Sequence, residues 1–305
     1  MRRVLVAAQV VLLTASVAGC AGLDGTSRAP AAGAKPQAAA ARGSSPAATE
    51  EGTSLIARLD GGRGARVVAL LRISGDRVTF SLTWSGTGPP RSAGVRAGGD
   101  QAVAGLFGNG LPAGARSVAG RMTVTDPAQA ERLRTRPGEF TVDLGPGEST
   151  GDGSVPAGGV LRGPLTESGQ PVDPLGVIPD GALRALADGR QESGGEGAPK
   201  GDKDAHTTVS LDPGKGGALN YSLAWVNLEP PTAAQVHRGA LGQSGEVAVP
   251  LFTTPLPRTL IAVSGTVEVT DPATLRDLAA KPGGFYVTLN TADFPRGAVR
   301  GQVFR

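Results

Sequence analysis

Side chains able to do covalent, redox or metal chemistry are scarce: one cysteine, Cys20, and two histidines, His206 and His237, in 305 residues. A single imidazole is not a metal site, and neither histidine has a second histidine or cysteine a few positions away. The carboxylates are scattered, with no pair spaced for acid/base work. Asp126 and Asp271 each precede a proline and read as helix caps rather than as catalytic acids. Arg162 and Arg300, each followed by glycine, are expected to brace strand ends through hydrogen bonds to carbonyls. No Gly-x-Ser-x-Gly elbow, His-Glu-x-x-His pair or phosphate loop is present. Gly61-Gly62-Arg63-Gly64 lacks the Lys-Ser ending of a phosphate cradle and is expected to be a turn. These residues predict a protein that is not an enzyme and has no catalytic set.

The surroundings of Cys20 give it a different role. Met1-Arg2-Arg3 is a positive start, Val4 to Ala18 is mostly apolar, and that run is shorter than the roughly 20 residues that span a bilayer. The segment 1–19 therefore reads as a signal peptide. Val17-Ala18-Gly19-Cys20 resembles the lipobox of bacterial lipoproteins, which implies acylation of Cys20 and a cell-membrane location on the extracytoplasmic face. Two or more acyl chains hold a protein stably where one does not. The lipid on Cys20 is the only covalent group expected, with no cofactor. The paired arginines leave the export route open. With Cys20 committed, no disulfide can form within the mature chain, so hydrophobic cores must supply the stability. Removing Arg2 and Arg3 takes the formal charge from +3 to +1, which is no nucleic-acid signature.

Two segments repeat each other in order. Val78-Thr79-Phe80-Ser81-Leu82-Thr83-Trp84 aligns with Leu219-Asn220-Tyr221-Ser222-Leu223-Ala224-Trp225, and Gly120 to Pro127 aligns with Gly265 to Pro272. Arg136-Pro137-Gly138-Glu139-Phe140 then matches Lys281-Pro282-Gly283-Gly284-Phe285, and Leu161-Arg162-Gly163 matches Val299-Arg300-Gly301. Within each copy the apolar residues alternate with period 2, as half-buried antiparallel strands do. The expected fold is all-β: two small antiparallel, Greek-key-like β-sandwich or barrel domains, each with one short helix after Asp126-Pro127 or Asp271-Pro272. The tryptophans fall on apolar strand faces and read as core residues. The boundaries predicted are a tether over 20–52, a first domain over 53–165, a linker over 166–204 and a second domain over 205–305. Within the linker, Asp180 to Ala187 is expected to be at most a short helix.

At these residues the chain resembles the CHRD domain family, named after chordin. In the second copy the resemblance rests on Tyr221-Ser222-Leu223, Ala234-Gln235-Val236-His237 with Gly239 and Gly245, Phe285 to Thr291, and Phe294-Pro295-Arg296-Gly297-Ala298-Val299-Arg300-Gly301. The first copy fits more loosely, through Leu59-Asp60, Trp84, Pro89-Pro90 and Phe140-Thr141-Val142. The resemblance implies a non-catalytic binding or structural module with an extracellular protein partner. Its pattern carries His-x-His on one strand and a further histidine on another, a set able to chelate copper or zinc. Here those positions hold Gln235, His237 and Asn290, and in the first copy Gly94, Arg96 and Gly145. No metal site is therefore expected, with His237 and His206 the weak candidates for a dismutase-like alternative. The residues expected to serve binding are His237, Gln235, Asn290 and Arg300.

Overall fold

The computed structural model describes residues 52–98, 101–145, 161–192 and 201–305. The signal segment, Cys20, the tether up to residue 51 and the stretch 193–200 lie outside the described residues.

The alternating segments form strands. In the first half these are β1 (Thr53–Asp60), β2 (Arg66–Ser74), β3 (Arg77–Ser85), β4 (Ser92–Ala97), β5 (Gln101–Phe107), β6 (Ala115–Thr123), β7 (Phe140–Gly145), β8 (Leu161–Pro164) and the short β9 (Thr166–Glu167). The second half contributes β10 (Leu183–Asp188), β11 (His206–Pro213), β12 (Ala218–Val226), β13 (Ala233–Arg238), β14 (Val247–Phe252), β15 (Leu260–Glu268), β16 (Phe285–Asn290) and β17 (Val299–Phe304). All pairings are antiparallel, and the two halves repeat one topology. The order β1-β2-β3-β6 recurs as β10-β11-β12-β15, and β5-β4-β7-β8 recurs as β14-β13-β16-β17. Each half is a β-sandwich whose layers enclose the inward residues of every strand. Leu71, Phe80, Leu82 and Phe140 fill the first core, and Leu211, Tyr221, Leu223 and Val287 fill the second. Trp84 and Trp225 are buried in these cores.

One short helix follows the sixth strand of each half: α1 (Pro127–Thr135) and α2 (Pro272–Ala280). Asp126 Oδ1 accepts from the Ala128 amide at 2.9 Å and Asp271 Oδ1 from the Ala273 amide at 2.9 Å, satisfying donors that a first helical turn leaves open. Proline follows each cap, where its missing amide costs nothing.

The halves are joined edge to edge. β6 pairs with β15, so that the first layers and the whole second sandwich run together as one 13-stranded sheet. The pairing obeys a local two-fold: Ser117 faces Ser264, Val118 faces Val263 and Ala119 faces Ala262. Arg121 N donates to Thr259 O at 2.8 Å, and its repeat counterpart Thr266 N donates to Gly114 O at 2.9 Å. The repeated glycines of the sequence sit at this junction. A Cβ on Gly120 would lie 2.5 Å from Phe80 Cζ and 2.5 Å from Thr259 O; on Gly265 it would lie 2.6 Å from Tyr221 Oη and 2.7 Å from Gly114 O. An aromatic ring therefore occupies the space above each glycine, and only glycine lets the opposite half approach.

The predicted linker 166–204 needs correction. β9 pairs with β1, and the chain then crosses the outer face of the joint sheet as a strap. Val172 N donates to Ser54 Oγ, the 3-10 turn Pro174–Val177 rests on β2, β3 and β6, and Ser222 Oγ donates to Pro179 O. Small residues beneath it, Ser81, Ser117, Ala119, Ser222 and Ser264, are buried on what would otherwise be a solvated face. The segment expected to be at most a helix is strand β10, paired with both β11 and β17, and the second sandwich begins there rather than at residue 205. Leu183, Ala185 and Ala187 point inward while Arg184 and Leu186 point out, so period 2 overrides the helix propensity of Leu and Ala.

Candidate functional site

The residues singled out from the sequence gather on the outer face of β13, β16 and β17. Gln235 and His237 alternate on β13, Tyr286, Thr288 and Asn290 on β16, and Arg300 on β17. The register sets Gln235 beside Thr288, His237 beside Tyr286 and Thr288 beside Arg300. The His237 ring stacks on Tyr286 with centroids 4.9 Å apart and planes 9° apart. The Arg300 guanidinium lies 3.6 Å from the centre of the same ring, a cation-π contact in a buried setting.

A loop closes over this face. Gly239 has φ +153 and Gly245 sits against the Arg238 carbonyl, where no Cβ fits; between them residues 240–244 leave β13 and return to β14. Gly245 N donates to Tyr286 Oη at 3.0 Å, and Arg300 Nη2 donates to Gln243 O. His237 Nδ1 lies 3.1 Å from Gly245 O and Nε2 lies 3.0 Å from Thr288 Oγ1. A carbonyl can only accept, which places the proton on Nδ1 and leaves Nε2 accepting from the Thr288 hydroxyl. Burial, with the Arg300 charge adding to it against the Gly245 bond, holds the His237 pKa below its ordinary value and favours this neutral form. Glu192 also reaches the site. Burial raises its pKa against the pull of Arg300, its Oε2 has no hydrogen-bond partner, and that atom lies 2.5 Å from where a Cβ of Gly297 would stand.

The sequence reading located His237 and Arg300 but missed Tyr286, Thr288 and the carbonyls of the 239–245 loop. The signal for Tyr286 and Thr288 was present in the alternation of Phe285 to Asn290, which puts every second residue on the face of His237. Asn290 plays another part: its Nδ2 donates to Pro295 O at 2.7 Å and ties the turn between β16 and β17. His206 starts β11 in the other layer, opposite Asp188 and Val226. Among the described residues no group of three or more His, Cys, Asp or Glu side chains is placed to hold a metal ion. The donor set does not fit one at His237 either, since both ring nitrogens are engaged within the protein.

In the first half, the same positions make an ion-pair cluster. Arg96 stands for His237, Thr141 for Tyr286, Asp143 for Thr288 and Arg162 for Arg300. The buried Asp143 carboxylate receives Arg96 Nε at 3.0 Å, Arg162 Nε at 2.9 Å and Nη2 at 2.7 Å, and Thr141 Oγ1 at 2.9 Å. Arg162 thus braces the Asp143 carboxylate through a bidentate bond. The glycines that follow have one shared reason. A Cβ on Gly163 would lie 2.5 Å from Arg58 O, and one on Gly301 would lie 2.7 Å from Leu186 O, so each Arg-Gly block clamps one face and lets the eighth strand meet the first on the other.

Fold and site define an all-β protein of paired antiparallel sandwiches whose polar face is held by hydrogen bonds and stacking. Residues 183–303 match the CHRD domain, and the match starts where β10 starts. No curated protein matches the chain.

Proposed function

We propose that the chain is an exported, lipid-anchored surface protein whose two CHRD-like halves act as a non-catalytic binding or structural module toward an extracellular protein partner. The observation that carries the binding role is the CHRD match over 183–303, within which the His237-Tyr286-Arg300 stack holds the 239–245 loop from beneath. The first half, with its Arg96-Asp143-Arg162 cluster at the same positions, supports a divided role: a scaffold half and a contact half. The anchor reading rests on the Val17-Ala18-Gly19-Cys20 motif after an apolar run.

The test of the anchor is fractionation. Wild type is expected in the membrane fraction and to incorporate a labelled fatty acid, while Cys20→Ala is expected in the soluble fraction without label. A Cys20→Ala protein that stays in the membrane overturns the anchor. The dismutase-like alternative is separated by calorimetry with copper and zinc on wild type and His237→Ala. Stoichiometric binding tighter than micromolar and lost in the variant would replace the binding-module reading with a metalloprotein.

A further inference from the structure

The two halves present the same outer sheet surface to the strap, yet only one of the two seats is filled. In the first half, the cross-strand rows Leu70-Ser81-Ala119 and Arg72-Thr79-Arg121 run over β2, β3 and β6, where the turn Pro174–Val177 rests. The corresponding rows of the second half are Ser210-Ser222-Ser264 and Asp212-Asn220-Thr266 on β11, β12 and β15. The strap passes these only at Pro179, Asp180 and Gly181, leaving a cleft of about 220 Å³. Arg116, from the first half, also lines it.

The lining differs in kind from the filled seat. Ser210, Ser222 and Ser264 form a buried polar floor, each at most 6% exposed. Ser210 stands where the filled seat has Leu70, so this half carries a hydroxyl at the position from which its counterpart offers an aliphatic contact. The rim supplies a carboxylate from Asp212, a second from Asp180, the carboxamide of Asn220 and the guanidinium of Arg116. Asn220 Oδ1 already accepts from Thr266 Oγ1 at 2.8 Å, which orients the carboxamide so that its nitrogen serves as a donor. Asp180 is held 3.6 Å from Arg184.

We propose that this cleft binds a neutral saccharide unit. Hydroxyl groups donate and accept at once, and adjacent hydroxyls are matched by planar side chains that offer two like atoms side by side, which carboxylate, carboxamide and guanidinium do. Two carboxylates on the rim oppose an inorganic anion, and the guanidinium opposes a bare cation. No branched aliphatic residue lines the cleft, and its one aromatic, Tyr221, is 2% exposed, so little surface is offered to an apolar ligand. The cleft lies on the opposite layer from His237 and is independent of the anchor and of the partner-binding face.

The experiment is ligand-observed saturation-transfer NMR on the full chain with glucose, galactose, mannose and N-acetylglucosamine at millimolar concentration, beside inorganic phosphate and calcium chloride. Transfer to at least one sugar is expected, weakened tenfold or more in Asn220→Ala and in Asp212→Ala. His237→Ala is expected to bind the sugar as wild type does, which separates this site from the partner-binding face. Thermal melts check folding, and Asp212→Asn replaces Asp212→Ala if the latter does not fold. The proposal is overturned by absence of transfer to every sugar, by transfer unchanged in the folded variants, or by binding of phosphate or calcium alone.

Discussion

Replacing Gly265 by alanine tests the junction between the halves. The added methyl would meet Tyr221 Oη at 2.6 Å and Gly114 O at 2.7 Å, both well inside van der Waals contact. One neighbour is backbone of the opposite half, which moves only by loosening the β6-β15 pairing. The other ends a buried ring packed in the core, so neither yields cheaply. Overpacking of this kind costs roughly 1–3 kcal/mol. For a unit of this size each kcal/mol lowers the melting temperature by about 2–4 °C, so a fall of about 2–12 °C is expected. The two-fold makes the same prediction for Gly120→Ala, where Phe80 and Thr259 O are the neighbours. Gly138→Ala is the control: nothing lies within 4 Å of its Cβ, and the change should leave the melting temperature within a degree or raise it slightly. Differential scanning calorimetry of the three variants decides the matter. A Gly265→Ala protein that melts with the control would show that the glycine repeat has nothing to do with the junction.

Asp143→Ala would leave Arg96 and Arg162 facing each other without their shared carboxylate. Because those arginines are 41% and 47% exposed, water screens much of the repulsion, and a loss of about 1–3 kcal/mol by urea titration is expected. Asp271→Ala removes a cap that holds Ala273 N and Thr274 Oγ1, at a cost of about 1 kcal/mol in the same assay. For His237 the sign follows from its lowered pKa. The unfolded chain takes up the proton first as pH falls below 6.5, so the contribution of the neutral ring is present above that pH and lost on acidification toward the folded value. Wild type should therefore lose more stability than His237→Gln between about pH 7.5 and 5.5, and equal losses would contradict the buried neutral imidazole.

What could be read from the sequence was whatever alternation and punctuation encode locally. The Phe80 and Tyr221 strands, the Asp-Pro helix starts and the all-β class follow from period 2 and from capping chemistry. β10 escaped because Leu183 to Ala187 is rich in good helix formers, and its strand character comes from pairing with β11 and β17, contacts that no local pattern contains. The Leu-x-Ala-x-x-Asp shared by Leu55 to Asp60 and Leu183 to Asp188 was the available clue. The strap was misread for a related reason: a segment of Gln, Pro, Asp and Gly looks like linker, and its burial depends on a stripe of small residues that lie tens of positions away on both sides of it in the chain. At the site, His237 was legible as a residue type, but its tautomer is set by Gly245 and Thr288, which only the fold brings to it.

The edge-to-edge pairing also has a consequence for the order in which the molecule is made. Strand β6 is complete long before its partner β15, and Ser117 waits for Ser264, 147 residues further along the chain. Until then the first half can close its core but presents a bare strand edge, the kind of surface on which foreign strands add and aggregates begin. Slow delivery of the second half, or a stop between the two, would prolong that exposure. A chain truncated after the first sandwich should therefore be recovered as aggregate even though every core residue of that sandwich is present.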